Sequence, residues 1–96
     1  MTKADIVAKI SEKLGIEKGD VQATVETFMS EVKTSLEGGN NVYLRGFGSF
    51  IIKARAEKTG RNISKNTTII IPAHNIPAFK PAKVFVESIK ANVKIK

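Results

Sequence analysis

Residues 55–75, RAEKTGRNISKNTTIIIPAHN, restrict the fold more than any other stretch. They lie between two strand-like runs, and their middle, 59–66, is polar and holds Gly60-Arg61-Asn62. Lys53 precedes them, and Arg55, Lys58, Arg61 and Lys65 crowd the first half against one acid, Glu57. Ile63 stands among polar neighbours at the centre. A hairpin with a basic shaft fits poorly into a core and well onto a polyanion. If it projects as an arm, about 75 residues remain for a core that supplies only ~3–5 kcal/mol unaided. Chains of that kind rely on disulfides, metals or oligomers. There is no cysteine and a single histidine, His74, which leaves oligomerisation. An obligate dimer is expected, with stability tied to protomer concentration.

Charge divides the chain unequally. Residues 1–44 carry five cations and seven acids, a net −2, and residues 45–96 carry eleven cations and two acids, a net +9. Such asymmetry marks a binding face better than a net +7 alone. It leaves DNA, RNA and anionic lipid as candidates. The absence of cysteine fits a cytoplasmic protein. No apolar run approaches the ~18 residues of a membrane span, and the opening residues do not read as a signal peptide. No membrane partner, cofactor or metal is expected.

In chain order, Thr2 and Asp5 resemble a capping box that opens a helix with Ile6, Val7, Ile10 and Leu14 on one side. Gly15 stops it. A second helix is predicted over 18–36, with Val21, Val25, Phe28, Met29, Val32 and Leu36 as its apolar set and Glu17 as a poor cap. The short link makes the pair a helical hairpin. Residues 41–44 read as a strand, Arg45-Gly46 as a turn, and the run from Phe47 as a strand continuing into the arm. Alternation would put Ile51, Lys53, Arg55, Glu57, Thr59 and Arg61 on one face. Residues 67–71 return, Pro72 interrupts pairing, and Pro81 is placed to open a third helix over 81–93. The fold class is α+β in one domain: helices to about 40, sheet and arm over 41–80, then a short helix and a tail at 94–96.

The arm cations suit phosphate contact, which neutralises backbone charge and releases counterions. The plainer reading is a solvated hairpin. Ile63 has two readings as well: an unremarkable exposed residue, or a wedge that unstacks a base step. Phe47, Phe50 and Phe79 suit a core or a subunit interface, since the arm has no aromatic with which to stack single-stranded bases. His74 reads as a packing or hydrogen-bonding residue. No phosphate loop, metal spacing or catalytic triad is present, so an enzyme is not expected. A structural dimer whose arms bind protein or acidic surfaces is the rival from another class.

The motifs GFGSF (46–50), RAEKTGRN (55–62) and NIPAF (75–79), in that order and spacing, resemble the HU and integration host factor family of bacterial nucleoid proteins. The resemblance spans residues 2–90. It implies an intertwined dimer: an N-terminal helical hairpin below, a three-stranded antiparallel sheet above, and one long β-ribbon arm per subunit in the DNA minor groove. It implies that Lys53, Arg55, Lys58, Arg61 and Asn62 contact DNA in the arm, with Ile63 and Lys65 beside them. Lys3, Lys80 and Lys83 would hold flanking phosphates, and Phe47, Phe50 and Phe79 would form the dimer core. It further implies a histone-like protein of the cytoplasm and nucleoid that bends and compacts double-stranded DNA. Nicked, bent or junction DNA, RNA, and a paralogue as partner subunit remain open, as does site-specific bending of the integration host factor type. One position departs: the family's intercalating proline is here Ile63, which lacks the rigid ring and restores a backbone N–H.

Overall fold

A computed structural model describes residues 1–62 and 67–95. Along the chain lie α1 (Lys3–Leu14), α2 (Lys18–Glu37), β1 (Val42–Leu44), β2 (Gly48–Arg55), β3 (Lys58–Asn62), β4 (Thr67–Ile71), β5 (His74–Pro81) and α3 (Lys83–Asn92).

The N-terminal helices form where their caps direct. The Thr2 hydroxyl accepts from the Asp5 N–H at 3.3 Å and the Thr2 N–H donates to the Asp5 carboxylate at 2.9 Å. This reciprocal pair satisfies two otherwise free donors, and it holds the Asp5 carboxyl below the ordinary carboxylate range, chiefly through the Thr2 backbone N–H. Gly15 closes α1 in the left-handed region, at φ 67°, and donates to the Ser11 carbonyl at 2.9 Å. Glu17 makes no side-chain cap bond to α2, as its residue type suggested. At the far end the Asn40 N–H donates to the Ser35 carbonyl at 2.9 Å and the Ser35 hydroxyl donates to the Asn40 carbonyl at 3.0 Å.

The body sheet has the order β1-β2-β5, antiparallel throughout, with Phe50 opposite Phe79 and Arg55 opposite His74. Both glycines of GFGSF have steric reasons. Gly46 turns the chain at φ 82°. At Gly48 a Cβ would lie 2.6 Å from both the Lys80 carbonyl oxygen and a Phe79 ring carbon, so only glycine fits. Asn41 joins the first two strands by accepting from the Ile52 N–H at 3.0 Å.

Two expectations need correction. The body ladder runs out to the Arg55–His74 pair, and a separate two-stranded ribbon, β3-β4, begins at Lys58–Ile71. Pairing lapses at Ala56-Glu57 and Pro72-Ala73. Proline has no N–H to donate to a ladder, and the His74 ring Nδ1 lies 2.9 Å from the Pro72 carbonyl, clipping the bend. The described ribbon therefore pairs 58–62 with 67–71, where one continuous arm over 55–75 was expected. Pro81 ends β5 rather than starting α3. It pairs with Gly48, and the following Ala82 N–H donates to the Phe47 carbonyl at 2.9 Å. Those bonds hold Ala82 extended, at ψ 151°, so the helix starts at Lys83.

A single chain of this shape buries little. Among the described residues only Val7, Val21 and Val32 are buried apolar side chains. The radius of gyration is 18.9 Å, where a compact domain of this length has about 12–13 Å. Its accessible surface is 8295 Å²; a compact monomer of 10.4 kDa exposes roughly 5,400 Å². Phe28, Met29, Phe47, Phe79 and Ile89 all remain exposed.

Candidate nucleic-acid interface

The ladders decide where each cation stands. Lys53 sits opposite Ile76 and Arg55 opposite His74, both exposed on β2 of the body sheet. Lys58 opens the ribbon opposite Ile71, and Arg61 and Asn62 occupy the positions opposite Thr68 and Thr67. Side chains alternate within a strand. Ile51, Lys53 and Arg55 thus share a face of β2, while Thr59 and Arg61 share a face of β3. The continuous six-residue face expected from the sequence is interrupted, because pairing lapses at Ala56-Glu57. The expectations for Ile63 and Lys65 fall outside the described residues.

A second group of cations lies on the body. Arg45, Lys80 and Lys83 line one cleft together with Tyr43 and Ser49. Three separate elements meet there: the β1–β2 turn, the end of β5 and the start of α3. Register brings them together, since Tyr43 pairs with Ser49 and Ser49 with Lys80. Sequence reasoning singled out Lys80 and Lys83 but treated Arg45 as a turn residue. Its charge beside Gly46 was the only signal available.

Lys3 stands apart from both groups. Its Nζ donates to Glu26 Oε2 at 2.9 Å, and Gln22 donates to the same oxygen at 3.2 Å. The hydrogen bond from Lys3 is the main reason the Glu26 carboxyl lies below its ordinary value, with the Gln22 bond next. An exposed pair of this kind is weak, so it can yield to a stronger anion.

The aromatic residues gather at the other side of the sheet. Phe47 and Phe79 have ring centroids 5.1 Å apart, Phe50 and Phe79 5.1 Å, and Phe47 and Phe85 5.6 Å. Phe47 is 47% and Phe79 39% exposed. These rings form a cluster that one chain leaves partly open. Phe85, from α3, completes it. With Pro81, Val86 and Ile89, Phe79 and Phe85 line an apolar groove.

Among the described residues no three metal-ligating side chains come together, and no helix is long and apolar enough to cross a membrane. The site is thus two cationic groups on a sheet and its ribbon. Those are the parts of a protein that holds a polyanion by its backbone.

The chain belongs to the bacterial DNA-binding protein family, whose pattern matches residues 1–90. This is the HU and integration host factor family of non-enzymatic DNA-binding proteins. The chain is 38% identical over 91 residues to the SPbeta prophage-derived DNA-binding protein HU 2 of Bacillus subtilis, covering 95% of this chain and 99% of that one. It is 41% identical over 83 residues to integration host factor subunit alpha of Aliivibrio fischeri, covering 86% and 85%. Among solved structures it is similar to HU of Anabaena in a cocrystal with DNA, with a TM-score of 0.87, 31% identity, and coverage of 98% of this chain and 100% of that one. HU and integration host factor relatives are matched about equally well.

Proposed function

We propose that this protein is a homodimeric, histone-like factor of the bacterial cytoplasm and nucleoid that binds double-stranded DNA through the minor groove, bends it and compacts it, largely without sequence preference. The observation that carries this is the separate ribbon pairing residues 58–62 with 67–71, with Lys58 and Arg61 along one strand, on a chain whose buried apolar side chains among the described residues are three valines. The excess surface of roughly 2,900 Å² per chain is somewhat more than the roughly 1,000–2,500 Å² that each partner of an obligate dimer buries, and a projecting ribbon accounts for the remainder. Phe47, Phe50, Phe79 and Phe85 supply the apolar cluster such an interface needs. The likeness to an HU that crystallised with DNA supports the same reading.

In this account Lys53, Arg55, Lys58, Arg61, Asn62 and Lys65 follow the groove. Arg45, Lys80 and Lys83 hold phosphates where the DNA passes the body. Lys3 joins them when it exchanges Glu26 for a phosphate. Ile63 serves as the wedge, at a few kcal/mol per unstacked step, a rule drawn from architectural proteins that include HU itself. The domain is one unit of residues 1–96, with 94–96 a tail bearing cations.

The test is Ile63→Ala, read by bending of a labelled duplex and by affinity for nicked and straight DNA. Loss of bending and of the preference for nicked DNA, with straight-duplex affinity kept, supports the wedge. Equal losses on all substrates contradict it. The 41% identity to integration host factor subunit alpha favours a second reading, site-specific bending. There specificity would arise from DNA deformability. Footprints confined to particular sites on mixed-sequence DNA would select it.

A further inference from the structure

β4 has one partner and two edges. It pairs with β3 in a two-stranded ribbon, so among the described residues its other edge is open. All five of its residues, Thr67, Thr68, Ile69, Ile70 and Ile71, are β-branched and uncharged. The three isoleucines are 45%, 64% and 41% exposed. Open edges are ordinarily guarded by charge, proline or a bulge. The sequence of β3 carries two cations, Lys58 and Arg61. β4 has no such guard, and Pro72 arrives only after its last residue.

The register leaves apolar side chains on both faces beside that edge, Ile69 and Ile71 on one and Ile70 on the other. A fitting partner must offer extended backbone and apolar side chains. A phosphate backbone offers neither, and β4 has no cation to meet it.

We propose that the open edge of β4 pairs antiparallel with β4 of a second copy, joining the arms of separate molecules. Centred on Ile69, the pairing sets Thr67 against Ile71 and Thr68 against Ile70, and every residue of the strand finds a β-branched partner. Charge selects this edge. In the order β3-β4-β4-β3 the cationic strands lie three strand spacings apart, about 14 Å, which exceeds the ~8 Å Debye length of physiological salt. Pairing through β3 would bring the lysines and arginines together at about 4.8 Å between strands. This pairing is independent of DNA binding and of the body interface.

The experiment is sedimentation velocity of the full-length chain without DNA, over a range of concentrations, comparing the native protein with Ile70→Thr. That substitution keeps the β-branch and the charge. The native protein is expected to form species larger than two chains as concentration rises, and Ile70→Thr to remain at two, with duplex affinity unchanged within twofold. Ile69→Cys adds a direct reading, because the chain has no cysteine of its own. Residues facing each other across an antiparallel pair have Cα atoms about 4.5–5.5 Å apart, within disulfide reach. Oxidation should link copies through position 69, and Thr59→Cys should link none. Identical sedimentation of native protein and Ile70→Thr overturns the proposal, as does a variant that loses duplex affinity while sedimenting like the native protein. Should Ile70→Thr fall to one chain while the native protein is a pair, arm pairing stands and the body dimer fails. Should both stay at two chains throughout, the body dimer stands and arm pairing fails.

Discussion

The body sheet and the ribbon are both antiparallel ladders, yet they constrain their residues in opposite ways. In the body, a Cβ at Gly48 would collide with the backbone of Lys80 and the ring of Phe79, and a third strand and α2 add further contacts. In the ribbon two strands stand by themselves, which is marginal for independent stability, and their described side chains are exposed apart from Gly60. A packed body position such as Gly48 tolerates few side chains and carries no ligand chemistry, which the body leaves to exposed cations such as Lys53 and Lys80. A ribbon position tolerates many, and its charge decides what it binds. Stability and binding should therefore separate cleanly under mutation.

Gly48→Ala should produce the largest effect. The added methyl meets the Lys80 carbonyl at 2.6 Å, where backbone must move. A loss of about 3 kcal/mol is expected in denaturant unfolding, at the upper end for overpacking. An unchanged midpoint would show that the body is as permissive as the ribbon. Gly46→Ala, at φ 82° but with open space around it, should cost only about 1–2 kcal/mol, the ordinary penalty of the left-handed region. Equal costs at the two glycines would remove the distinction between packing and turn geometry.

Lys58→Ala is the matching change in the ribbon. The unfolding midpoint should stay where it is, and the slope of log K against log salt should become shallower by about 0.9, the contribution of one phosphate contact. A lower midpoint with an unaltered slope would place Lys58 in the structural half of the molecule. The smallest effect is expected for Glu26→Gln, which frees Lys3 and should tighten duplex binding a few-fold. The pH dependence carries the same sign. The Glu26 carboxyl is depressed in the folded chain, so its contribution to stability is present at neutral pH. It is lost as pH falls through the depressed value. Affinity for DNA in native protein should rise over that acid range, and Glu26→Gln should abolish the rise.

Much of this division was legible in the residues. The capping box at Thr2, the stop at Gly15, the basic run from Lys53 and the interruption at Pro72 all act locally, and local chemistry is visible along a chain. What escaped depends on residues distant in sequence. Gly46 and Gly48 look alike until the pairing of Gly48 with Pro81 shows that only one of them is packed. Ala56 and Glu57 carry no breaking signal, and their gap is set by Pro72 across the ladder. Pro81 suits a first helical position by type, but the Ala82 bond to Phe47 keeps the strand going. The Lys3–Glu26 pair spans 23 positions, and Arg45 joins Lys80 and Lys83 only once the sheet is formed. The exposure of the ribbon's isoleucines follows from β4 having a single neighbour among the described residues, which a run of β-branched residues does not reveal.

The most direct test of the central claim is binding of the intact protein to a straight duplex over a series of salt concentrations. If the cationic half grips the DNA backbone, log K should fall linearly with log salt, with a slope near −0.9 for each phosphate engaged. An affinity that does not change with salt would contradict the account.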